Sequence, residues 1–105
     1  MPNNNDTLVV ISHYAATRTL PEERMVVILN SETYKVLKFR RAEIAGWNLA
    51  HSWAESRANH WEGMTNAEVR RYMETEWTSN PVQNPTSADM EAARKYAPEC
   101  FGGAL

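Results

Sequence analysis

One cysteine, four glycines, five prolines and two phenylalanines are all that this 105-residue chain holds of those types. The lone Cys100 excludes an internal disulfide framework and any zinc site built from several thiolates, and a reducing, cytoplasmic location is the simplest expectation. The scarcity of glycine and proline argues against a low-complexity or wholly disordered chain. No apolar run approaches the roughly 18 residues of a membrane span, so no membrane partner is expected. The opening MPNNNDT has neither the basic start nor the apolar stretch of a signal peptide, and no lipidation signal is visible. It reads as a flexible polar tail over residues 1–6. A strong basic excess is missing too: the net charge is −2, with six basic and four acidic side chains in residues 1–41 against five and nine in residues 42–105. A dedicated duplex-binding protein usually carries far more positive charge. No phosphate-binding loop, G-x-G-x-x-G, G-x-S-x-G or H-E-x-x-H pattern occurs.

What the chain does contain suffices for one domain over residues 1–105. Hydrophobic residues make up 43% and charged residues 23%, and a chain of this length buries a core without covalent staples. TLVVIS (7–12) and RMVVILN (24–30) are β-branched apolar runs without strict alternation, so both read as strands covered on two faces. TYKVLKFR (33–40) alternates cleanly, and a tight connection at Asn30, Ser31 and Glu32 implies an antiparallel hairpin.

From Arg41 the pattern changes. Residues 41–62 contain no proline and many helix formers, which predicts one long helix. Within it, GWNLAHSWAESRANHW (46–61) holds three of the four tryptophans and two of the three histidines. On a helical wheel Trp47, Ala50, Ala54, Ala58 and Trp61 form one row and Ala42, Ala45, Leu49 and Trp53 an adjacent one. The apolar arc is wider than one sheet needs, so the helix is expected to touch a second surface, either the later helices or another copy of the chain. Gly63 suits the left-handed position after a helix, and T-N-A-E (65–68) is a capping box for a second helix running to about Trp77, with Val69, Met73 and Trp77 as its buried stripe. TSNPVQNPT (78–86) reads as a loop. Thr86 or Ser87 caps a third helix that Pro98 stops, and residues 99–105 read as an irregular tail from which Phe101 docks on the core. The expected fold is therefore α+β: a small antiparallel sheet of about three strands from the first 40 residues, packed by three helices from the last 65, the first of them long.

Reactive constellations are weak. His51 and His60 are nine residues apart and point to opposite sides of a helix, so they cannot share a metal. His60 reads as a packing residue. Adjacent Ser12 and His13 face opposite ways on a strand, Cys100 has no histidine near it in sequence, and Glu74 and Glu76 diverge on a helix. No catalytic residue, metal ligand or cofactor is assigned. The expected function is a non-enzymatic protein-binding module, acting as a regulator, adaptor or inhibitor on another protein's surface. Small inhibitors encoded by viruses or mobile elements fit that description. Trp47, Trp61 and Tyr34 are the contact candidates, with Lys38, Arg40 and Arg41 as an electrostatic rim, and a homodimer through the tryptophan helix is a related expectation. The alternative is nucleic-acid binding, through the helical bend at 63–71 or the basic strand 35–41. A weaker one is a small enzyme using His13 or His51.

Overall fold

The computed structural model describes residues 7–30, 32–41, 46–57 and 61–101. Strands β1 (Leu8–Tyr14), β2 (Glu23–Leu29), β3 (Thr33–Arg41) and β4 (Trp47–Ser56) run as an antiparallel meander. Helix α1 (Asn66–Glu76), the two-residue strand β5 (Val82–Gln83), helix α2 (Ser87–Tyr96) and a 3-10 turn (Pro98–Phe101) follow. The strand order is β4-β3-β2-β1-β5.

Strands β1 and β2 lack alternation because both faces of the sheet are covered. On one face Val9, Ile11, Val26, Ile28, Leu37 and Phe39 pack against Ala93, Ala97 and Cys100 from α2 and the turn after it. On the other, Val10, Val27, Leu29, Tyr34 and Val36 pack against Val69 and Met73 of α1. Sheet side chains alternate between the two helices, so every position of Val26–Leu29 is an inside position. Burying each such side chain stabilises the fold by roughly 1.5–3 kcal/mol before entropy is charged. The β2–β3 hairpin closes on Asn30, whose Oδ1 accepts the N–H groups of Glu32 and Thr33 at 2.8 and 2.6 Å. The buried Arg57 guanidinium donates to the Asn30 carbonyl at 2.9 Å and to the Met64 carbonyl at 2.5 Å, tying that hairpin to the segment leading into α1.

The expectation of about three strands and three helices is corrected: the sheet has five strands, and the described residues hold two α-helices. The long helix over 41–62 does not form. Gly46 takes φ +148°, far from the helical value near −60°, and Trp47–Ser56 is a strand paired with β3 along its length. Alanine, asparagine and serine do not favour strands by themselves. What overrides them is β3, whose outer backbone groups would otherwise lack partners beside a buried core. Small residues between tryptophans are accommodated both in a helical row and in a strand pairing. Two residues expected in a loop, Val82 and Gln83, instead pair with Ser12 and Ile11, and the Ser12 hydroxyl donates to the Asn80 carbonyl at 3.0 Å.

Both remaining helices start with capping boxes: Thr65 with Glu68, as the sequence implies, and Thr86 with Asp89, where the sequence implies only a cap at Thr86 or Ser87. In α1, Val69 and Met73 are buried and Trp77 is half-buried at the cap, while Tyr72 faces out at 48% exposure. Gly63 has φ +81°. Residue 31, the tails 1–6 and 102–105, and Ala42, Ala45, Ala58, Asn59 and His60 of the expected helix lie outside the described residues.

Candidate functional site

A register irregularity decides where the tryptophans go. In the β3–β4 ladder Lys38 stands opposite His51 but Phe39 stands opposite Leu49, so Ala50 is the extra residue of a β-bulge. Without it Trp47, Leu49, His51 and Trp53 would share a face. With it, Trp47 joins the α2 side of the sheet and Trp53 the α1 side. All four tryptophans are half-buried.

On the α2 side this places Trp47 beside a cleft of about 280 Å³ lined by Phe39, Trp47, Ala88, Ala92, Lys95 and Tyr96. Phe39 and Tyr96 meet edge to face at 5.9 Å, and Tyr96 is 36% exposed. The Arg41 guanidinium lies over the Trp47 ring at 5.4 Å and reaches Glu22 at 3.7 Å. Glu22 also holds His13 Nε2 at 2.5 Å, and His13 meets Trp47 edge-on at 6.3 Å. Inward of these, Arg24 grips Asp89 through both carboxylate oxygens, at 2.9 and 2.7 Å. Burial works to raise the Asp89 carboxyl. The Arg24 hydrogen bond, joined by the Thr86 amide and hydroxyl, outweighs it and holds the group below the usual carboxylate range. The cleft therefore has aromatic walls, an ion pair at its base and charges of both signs at its rim.

The six contact candidates do not form one patch. Trp47 and Arg41 come together at the cleft. Tyr34 and Trp61 meet edge to face at 4.8 Å on the opposite side of the sheet. Tyr34 is core, and burial pushes its phenol up. Lys38 and Arg40 share Glu23, at 3.6 and 2.7 Å, and the Arg40 hydrogen bond holds that carboxyl down. Lys35 is paired with Glu99 at 2.7 Å. Each basic side chain of strand 35–41 thus stands against a carboxylate, which offsets the charge a phosphate backbone would meet.

Sequence reasoning missed Arg24, Asp89 and Tyr96 as site residues. Asp89 carried a signal, but only as a helix-start acid. That it reaches Arg24, 65 positions earlier, is set by α2 lying across the sheet. Ser12 lies on the other face from His13, and Cys100 is wholly buried, which pushes its thiol up. His51 is exposed and leans on Trp53 at 5.1 Å. Among the described residues no cluster of three or more His, Cys, Asp or Glu is placed to hold a metal ion, and no helix is long and apolar enough to cross a membrane. Compared with protein-family models, curated proteins and solved structures, the chain matches none.

Proposed function

We propose that the chain is a small non-enzymatic protein-binding module, a regulator, adaptor or inhibitor that acts by occupying a partner's surface, with the cleft beside Trp47 as its contact site. The observation that carries this reading is the cleft itself: Trp47, Phe39 and Tyr96 surround a space sized for one large apolar side chain, with Arg41 stacked at the rim. Trp, Tyr and Arg dominate binding energy where an anchor residue enters a pocket ringed by polar groups. The buried thiol of Cys100 suits a reducing compartment such as the cytoplasm.

Ala88 is exposed, lines the cleft and sits in the first turn of α2, so Ala88→Trp fills the space without touching the core. Immobilised wild-type protein should retain a partner from host lysate, identified by mass spectrometry, that Ala88→Trp loses at unchanged melting temperature. Equal retention by both proteins moves the contact away from the cleft. Retention by neither, over the range of growth conditions, ends the protein-binding reading.

A further inference from the structure

Strand β4 ends the sheet, and among the described residues no strand pairs with its outer side. Exposed edges are commonly blunted by shortness, lysine or proline. The opposite edge obeys that rule, since β5 is two residues long. β4 is blunted only near its start, where Ala50 bulges: it runs ten residues, WNLAHSWAES, with neither lysine nor proline, His51–Ser56 pair with β3 in unbroken register, and every residue but the two tryptophans is exposed.

The ladder shows which backbone groups face outward. The Arg57 N–H donates to the Glu32 carbonyl at 2.9 Å, one step beyond the Thr33–Ser56 pair. Antiparallel ladders alternate, so Glu55, Trp53 and His51 also turn their N–H and C=O toward β3, and Ser56, Ala54 and Ser52 turn theirs outward. Side chains follow the same alternation. His51, Trp53 and Glu55 share the α1 side, and Ser52, Ala54 and Ser56 the other.

From this we infer that the strand completing the edge is β4 of a second copy, antiparallel, with the two-fold axis at Trp53. In that register Ser52 and Ala54 of one chain exchange hydrogen bonds with Ala54 and Ser52 of the other, using the outward groups. The pairs between them, Trp53 with Trp53, His51 with Glu55 and Glu55 with His51, are the non-hydrogen-bonded kind, in which side chains stand closest. Two imidazole–carboxylate pairs flank one indole pair, and the opposite face of the seam carries only alanine and serine. A slip of two residues either way breaks both His51–Glu55 pairs, setting His51 against Trp53 in one case and against Arg57 in the other. The sequence of the edge is thus complementary to itself in one register. The pairing goes beyond the cleft reading and does not depend on it. Trp47 lies past the paired segment, and a two-fold axis normal to the sheet leaves both clefts open on the same side.

Sedimentation of the full chain should show a dimer of twice 12.0 kDa at micromolar concentration. Ala54→Pro removes an outward N–H without touching the β3 ladder, and should give a monomer with an unchanged circular-dichroism spectrum. His51→Glu opposes like charges twice and should weaken the dimer roughly tenfold or more, with the double swap His51→Glu, Glu55→His restoring it. His51→Cys with Glu55→Cys should yield a covalent dimer on mild oxidation, since paired Cα atoms there fall within disulfide reach. A chain that stays monomeric at several hundred micromolar overturns the proposal. So does a dimer that tolerates both Ala54→Pro and His51→Glu, or one that the cysteine pair fails to trap. None of these results bears on whether Ala88→Trp loses a partner, so the two readings fail separately.

Discussion

Asp89 shows how much one side chain can be asked to do. It caps α2 through Thr86, closes an ion pair with Arg24 and forms part of the wall of the cleft. Its carboxyl is held below the ordinary 3.8, so the stability it contributes is fully present above that value and is lost as pH falls through the lower folded value. Asp89→Asn keeps most of the cap but leaves Arg24 facing a neutral amide. The variant should lose roughly 1–3 kcal/mol of unfolding free energy at pH 7, as expected for charge-assisted hydrogen bonds. The deficit should shrink as pH falls below 3.8, because the wild type surrenders the same interaction there. Urea melts at several pH values measure both. A deficit that stays constant with pH would mean that the loss is packing and not charge.

At the scale of the element, the two glycines that matter act through φ. Gly63 sits at φ +81° with nothing within 4 Å of where a Cβ would be, so a side chain there meets no clash and only backbone strain. Gly63→Ala should therefore cost about 1 kcal/mol in a denaturant melt, the usual penalty for a left-handed alanine. A neutral result would show that the turn relaxes into a right-handed conformation. Gly46 takes φ +148° immediately before β4, and the bulge at Ala50 then sends Trp47 and Trp53 to opposite faces. Pairing with β3 makes a segment rich in helix formers a strand, and the bulge lets that strand serve both layers. The Thr65–Glu68 capping box, by contrast, was readable directly. Its hydrogen bonds join groups three residues apart, and nothing distant competes with them.

At the scale of the molecule, the sheet is the middle of a three-layer sandwich, α1 on one face and α2 on the other, with β2 in the centre of the order. Amides of Val26–Leu29 should accordingly exchange with solvent only through global unfolding, slower than those of β4 by several orders of magnitude. Hydrogen exchange followed by mass spectrometry tests this. Exchange of the β2 amides by local opening would mean that the two helices cover the sheet loosely.

Much of the fold follows from the sequence read by itself: three N-terminal strands, the first two with both faces covered, the hairpin at Asn30, two capped helices and the left-handed Gly63. Each rests on contacts between near neighbours or on an apolar pattern too dense for a surface strand. Only the tertiary structure decided that residues 47–56 are a strand, that Val82 and Gln83 pair with β1, and that Arg24, Asp89, Trp47 and Tyr96 surround one cleft. The reason is physical. Local propensities differ by about 1 kcal/mol or less per residue, and an unpaired sheet edge beside a buried core outweighs them through hydrogen bonds that span no fixed sequence distance.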